Sequence, residues 1–155
     1  MTITFAHTNI VAKDQKTLAD FYIQALGCDI ALPENTLVGE WLEKGIGIPA
    51  ASIRGITLKL PGFQKDGPAL EIFQYNQMIE HSGPPAANRQ GFAHIAFRVD
   101  DVVAIQQKAI SSGGAKLGEI SQKDFKSGTL TFTYVTDPEG NIVELLNLSS
   151  LTLAI

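Results

Sequence analysis

The amino-acid sequence predicts an α+β protein in which one strand–helix–strands unit is used twice. Three observations carry this. Phe5-Ala6-His7 recurs as Phe92-Ala93-His94, and the likeness stays in register: Asp14 and Asp101 each lie seven residues past the histidine, Leu18 and Ile105 eleven, Gly27 and Gly114 twenty. In each copy a helix-like period is followed by short alternating apolar runs. Finally, 45% of the 155 residues are hydrophobic and 18% charged, a balance of folded rather than disordered chains. That length buries a core without disulfides or a structural metal. A single domain over residues 1–155 is expected, made of two modules at about 3–78 and 90–150.

The elements follow in order. Ala6, Thr8 and Ile10 alternate with His7 and Asn9, which gives a strand with one packed face and turns His7 the other way. Asp14 is placed to cap a helix, whose buried stripe is Leu18, Phe21, Tyr22, Ala25 and Leu26 and whose end is Gly27. Strands are expected over 56–60 and 69–75, separated by Pro61-Gly62 and Asp66-Gly67-Pro68. A polar, proline-rich linker, His81 to Asn88, leads to the second copy. There Ala93, Ile95, Phe97 and Val99 alternate with His94 and Arg98. Val102, Ile105, Ala109 and Ile110 form a helical stripe after Asp101, closed by Gly113-Gly114. Strands over 130–136 and 142–148 are joined by Asp137-Pro138-Glu139-Gly140-Asn141. The first copy is longer, with the excess between Ile30 and Gly55. That stretch holds Trp41 and Glu43 and reads as a long irregular insertion of the kind used as a binding loop or lid.

Composition excludes several classes. A net charge of −4 argues against nucleic acid as the main partner. No apolar run approaches the roughly 20 residues of a membrane span. No basic-then-apolar segment opens the sequence, so no secretory leader is expected. One cysteine, Cys28, excludes an internal disulfide and suits a reducing cytoplasm.

Each copy also carries an acid in an apolar strand: Glu71 in Ala69-Leu70-Glu71-Ile72-Phe73, and Glu144 in Ile142-Val143-Glu144-Leu145-Leu146. A carboxylate in such a strand is unfavourable unless paired. Two of them accompany two histidines, one pair per copy. Pseudo-symmetry would let the pairs converge, and two imidazoles with two carboxylates suit a divalent first-row metal: zinc, nickel, cobalt, manganese or ferrous iron. The bland reading is a pair of structural histidines and of acids bonded to Arg98 or Arg54. His81, in the linker, reads as solvated.

The segments His7-Thr8-Asn9-Ile10, Leu18-Ala19-Asp20-Phe21-Tyr22, Leu70-Glu71-Ile72, Gly91-Phe92-Ala93-His94-Ile95-Ala96-Phe97 and Asp137-Pro138-Glu139-Gly140-Asn141-Ile142-Val143-Glu144 carry a family resemblance over nearly the whole chain. The sequence resembles the vicinal oxygen chelate superfamily: glyoxalase I, methylmalonyl-CoA epimerase, extradiol dioxygenases, and fosfomycin and bleomycin resistance proteins. The resemblance implies paired βαβββ modules forming curved, partly open mixed sheets around one divalent metal, and commonly a homodimer. It puts His7, Glu71, His94 and Glu144 in the four ligand positions. A glutamate at position 71 is similar to the glyoxalase I and epimerase patterns, whereas extradiol dioxygenases use two histidines and one glutamate. Bacterial glyoxalase I places glutathione-binding arginines where Val11 and Thr17 stand here, which points away from a glutathione adduct.

The resemblance therefore implies a metal-dependent lyase or isomerase. It would remove a proton next to a carbonyl of a small chelated substrate, through an enediolate, with Glu144 or then Glu71 as base. Arg98 lies four residues beyond His94 on the same strand face, about 13 Å along, where it would meet a substrate carboxylate or phosphate. Phe73, Phe92 and Trp41 are candidate pocket walls, and Asn9 a candidate second hydrogen-bonding partner near His7. The alternatives are a non-catalytic small-molecule binder of the bleomycin-resistance kind, an extradiol-type dioxygenase, and a thiol transferase of the fosfomycin-resistance kind.

Overall fold

Strand β1 (His7–Val11) runs into helix α1 (Gln15–Leu26) through the Asp14 cap. The Asp14 carboxylate accepts from the backbone N–H of Lys16 (3.1 Å) and Thr17 (3.2 Å) and from the Thr17 hydroxyl (2.7 Å). These bonds, the Thr17 hydroxyl foremost, hold its carboxyl below the usual value. Gly27 closes the helix, donating to Ile23. The computed structural model describes residues 1–150. Over these the chain divides into two units, Met1–Ser82 and the part from Gly83 onward.

In the first unit α1 is followed by β2 (Asp29–Val38), α2 (Glu40–Ile46), β3 (Ser52–Lys59) and β4 (Ala69–Tyr75). The sheet order is β1-β4-β3-β2, with β1 parallel to β4 and the other pairs antiparallel. Leu18, Phe21 and Tyr22 of α1 are buried together with Leu58, Leu70 and Ile72 of the sheet. Their removal from water supplies about 1.5–3 kcal/mol each. Phe21 meets Tyr22 edge-on, with centroids 5.3 Å apart.

The stretch between Ile30 and Gly55 is regular, contrary to the expectation of an irregular insertion. It forms most of β2 and all of α2. β2 is an edge strand, exposed almost throughout, with register breaks around Leu32 and Asn35. Pro33 sits in that interrupted stretch, where an edge tolerates it. Such a strand has no buried face and so no alternation to read. Helix α2 is only seven residues long, and its start at Gly39 has no side-chain cap.

The second unit repeats the plan: β5 (His94–Arg98), α3 (Val102–Ser111), β6 (Ala115–Lys116), β7 (Ser121–Phe125), β8 (Gly128–Thr136) and β9 (Ile142–Ser150). The order is β5-β9-β8-β6, with β7 also pairing β8, and β5 is parallel to β9. Asp101 caps α3 through Ala104 N–H (2.9 Å). The helix ends in a Schellman arrangement in which Gly114 donates to Ala109 and Gly113 to Ile110. Its stripe differs from expectation at two places. Ile110 is exposed, and Gln106 is buried because its amide donates to the Thr133 hydroxyl (3.1 Å), which donates in turn to the Gly118 carbonyl. Phe97, Val135, Val143 and Leu145 complete this core.

The Asp-Pro-Glu-Gly-Asn turn sets the start of β9. Asp137 is buried and its Oδ1 accepts from the backbone N–H of Glu139 and of Asn141, both at 2.9 Å. The Asn141 amide donates to both carboxylate oxygens. Gly140 takes φ +87, a conformation that disfavours a side chain. Among the described residues no helix is long and apolar enough to cross a membrane.

Candidate metal centre and its surroundings

In the first unit β1 and β4 run side by side with His7 level with Ala69 and Asn9 level with Glu71. Leu70 and Ile72 bury the opposite face, so His7 and Glu71 project together from the open face, one pleat apart. Their side chains meet, His7 Nε2 lying 3.3 Å from Glu71 Oε2. In the second unit His94 is level with Ile142 and Ala96 with Glu144. His94 Nε2 lies 3.1 Å from Glu144 Oε2. The same diagonal of a parallel strand pair is thus used twice. The side chains keep 47% and 22% exposure in the first pair and 29% and 18% in the second, so the acids are the more enclosed partners.

The donor spacing fits a metal. Two donors each roughly 2.1 Å from one ion stand about 3.0 Å apart at a right angle and about 3.4 Å apart at a tetrahedral angle. The observed 3.3 and 3.1 Å fall between. Within either unit, among the described residues, no third His, Cys, Asp or Glu gathers with the pair. Each unit therefore offers two donors, half of a four-ligand set.

The other expected site residues divide. Asn9 projects from the same face as His7, level with Glu71, and is exposed. Arg98 ends β5 on the face of His94 and is exposed. Phe73 shares the face of Glu71 but packs against a small core of Leu42, Ala51 and Ile53, with Leu37 and Tyr75. Its ring fills the space over Gly55, where an added Cβ would stand 2.9 Å from Phe73 Cε1. Phe92 does not share a strand face with His94: β5 begins at His94, and Phe92 lies before it, fully exposed. Trp41, in the first turn of α2, is 64% exposed, and its indole N–H donates to the carbonyl of Val38 at the end of β2 (3.0 Å).

Sequence reasoning missed Tyr134. It sits on β8 level with Glu144, and its ring lies 5.1 Å from that of His94. Phe132, two residues back, is 6.1 Å from Tyr134 and nearly edge-on. Burial, and secondarily the Glu144 carboxylate, raise the phenol above its usual pKa, so it stays protonated at neutral pH. The available signal was the alternation of β8 itself. The strand register that puts Tyr134 opposite Glu144 could not be read without coordinates.

With this geometry in view, the comparisons are direct. A profile of the Glyoxalase/Bleomycin resistance protein/Dioxygenase superfamily matches residues 4–145. The chain belongs to that superfamily. Among relatives of the glyoxalase-superfamily chain is a "Probable lactoylglutathione lyase" from Synechocystis sp., 26% identical over 148 residues, covering 93% of this chain and 95% of that protein. A glyoxalase family protein from Bacillus cereus shares the fold with a TM-score of 0.80 at 15% identity, over 96% of this chain and 95% of the other. A glyoxylase/bleomycin resistance protein/dioxygenase domain from Frankia sp. aligns with a TM-score of 0.62 at 13% identity, over 96% and 100%. The two open mixed sheets and three helices are those of the glyoxalase-like fold. Members of the superfamily typically use a divalent metal.

Proposed function

We propose that this chain is a divalent-metal-dependent lyase or isomerase acting beside a carbonyl of a small molecule. The observation that carries the reading is the recurrence of one His–Glu diagonal in both units, at 3.3 and 3.1 Å. The typical use of a metal by the superfamily and the lyase name of the Synechocystis relative support it.

In this reading His7, Glu71, His94 and Glu144 hold the ion. When bound, the ion supplies Lewis-acid stabilisation of the charge that develops on the substrate oxygens as the proton leaves. The remaining steps belong to the protein. Glu144 is the first choice of base. Its Oε2 faces His94, which leaves Oε1 to accept the proton from the substrate carbon and return it to the same or the neighbouring carbon. Glu71 is the second choice for the same part. Tyr134 stands level with Glu144, with its ring 5.1 Å from that of His94. Arg98, further along the face of His94, receives a substrate anion. The reading includes a cytoplasmic homodimer and no nucleic acid or membrane partner.

The test is elemental analysis of the purified chain after metal loading, with His7→Ala and His94→Ala alongside. About one ion per site, lost in both variants, is the expected result. Incubation of the loaded protein in heavy water with 2-oxo and thioester compounds should place deuterium at the α-carbon. A chain that takes up no metal would make this a non-catalytic binder. Oxygen consumption with catechols, without α-carbon exchange, would make it a dioxygenase.

A further inference from the structure

Each His–Glu couple depends on how two parallel strands are registered, and in the second unit packing does little to fix that register. β5 buries one side chain, Phe97, and residues 87–93 leading into it are exposed. The hydrogen bonds between parallel strands are evenly spaced. A slip of one residue would turn the side chains to the wrong face, but a slip of two would not. A two-residue slip would carry His94 about 6.6 Å along β9, far beyond the 3.1 Å that now separates it from Glu144.

The far end of β5 is where the chain is held. The Val99 N–H donates to the Leu146 carbonyl (2.8 Å). Beside it the Asn147 side-chain amide donates to the Val99 carbonyl (2.7 Å) and the Asp100 carbonyl (3.2 Å). The next residue, Asp101, caps α3, so these bonds grip the chain where the strand stops and the helix begins. The first unit has the same backbone bond, from the Ala12 N–H to the Phe73 carbonyl at 2.8 Å. There the residue three beyond the glutamate is also an amide, Gln74, which accepts from the Gln15 N–H at 3.4 Å. In both units, then, an amide on the face opposite the glutamate is bonded to the strand–helix connection, most closely in the second.

We propose that Asn147 is a positioning residue: its amide clamps the end of β5 to β9 in the one register that brings His94 and Glu144 together. The inference deepens the metal-ligand reading above, and its importance for the site rests on that reading. Asn147 touches neither ligand. It acts through the β5–α3 connection, in the way that partners outside the ligand shell fix a metal ligand's orientation.

The experiment uses the full chain, first without metal. In the wild type the His94 and Tyr134 rings, 5.1 Å apart, should give ring-to-ring NOEs, and the Val99 amide should be protected from hydrogen exchange. In Asn147→Ala the NOEs should fall to about half or less and Val99 should exchange about tenfold faster, while the Asn141 amide, bonded to Asp137, stays protected and reports an intact turn before β9. Asn147→Asp has the same shape but no N–H to give, and should behave as Asn147→Ala does. Zinc affinity should fall about tenfold in both. Gln106→Leu, which loses a hydrogen bond to β8 instead, should keep the ring contact and the zinc affinity. If Asn147→Ala does not fold, Asn147→Ser, which keeps one shorter donor, carries the same test. Unchanged NOEs and Val99 exchange in the variant, or an Asn147→Asp protein equal to the wild type, would overturn the clamp. So would an equal loss in Gln106→Leu, which would make the effect one of general stability. If the wild type takes up no zinc, the ligand reading fails separately, and the metal-free NOEs and exchange rates still decide the clamp.

Discussion

Replacing Asp137 by alanine tests what holds the Asp-Pro-Glu-Gly-Asn turn before β9. In the structure Asp137 is a scaffold: it is 2% exposed and accepts hydrogen bonds from two backbone N–H groups and the Asn141 amide. Asp137→Ala removes a charged acceptor from three donors at once. Such bonds net about 1.5–3 kcal/mol each, and since they share one carboxylate their losses do not add, so a total of about 3 kcal/mol is expected. For a chain of this size each kcal/mol is worth about 2–4 °C, hence a fall in Tm of roughly 6–12 °C. Asp137→Asn keeps Oδ1 as acceptor of the backbone groups and should lose about 1 kcal/mol. Urea unfolding followed by circular dichroism measures both. Because the turn sets the start of β9 and so the position of Glu144, the proposed ligand set further requires that metal affinity fall in Asp137→Ala, by about tenfold to a hundredfold for zinc. An Asp137→Ala protein within 0.5 kcal/mol of the wild type by the same standard, with unchanged zinc affinity, would refute the scaffold role.

Three further outcomes follow from local geometry. Asp14→Ala should lower stability by about 1 kcal/mol through loss of the α1 cap. Because the folded Asp14 carboxyl titrates below its usual value, its contribution is whole above the unfolded pKa and fades as acid passes through the folded one, so denaturation curves of the wild type and Asp14→Asn should converge only in strong acid. Cys28 is 1% exposed, and burial first, with Asp29 second, pushes its thiol up to about 12. A thiol reagent at pH 8 should leave the native protein unlabelled and label it fully in denaturant. Gly55→Ala puts a methyl 2.9 Å from the Phe73 ring, which should lower stability by about 1–3 kcal/mol in chemical denaturation and release Phe73 from its cluster, read as increased exchange of its ring signals by NMR.

Much of the architecture was legible because its signals are local. The Asp14 cap, the Gly27 end and the Leu18–Leu26 stripe lie within one helix, so propensity and period suffice. The His–Glu pairs were legible because duplication repeats them in register, which a single site would not have done. What escaped depends on pairing. β2 and β7 are exposed edge strands, without the buried face that writes alternation into a sequence. Gln106 is a polar residue in a buried position because Thr133, across the unit, accepts from it. Phe92 reads as a pocket wall from its place beside His94, but β5 begins only at His94, which leaves Phe92 before the strand and exposed. Tyr134 escaped for a different reason: its neighbours Glu144 and His94 are set by strand register, a property of three segments rather than one.

Each imidazole finds its carboxylate on the adjoining strand of its own half, so neither couple depends on the other half to keep its shape. The two halves are free to diverge around fixed anchors, as threonine beside one acid and tyrosine beside the other already record. A change on β8 alone can accordingly alter the surroundings of one couple while the other keeps its own strand neighbours.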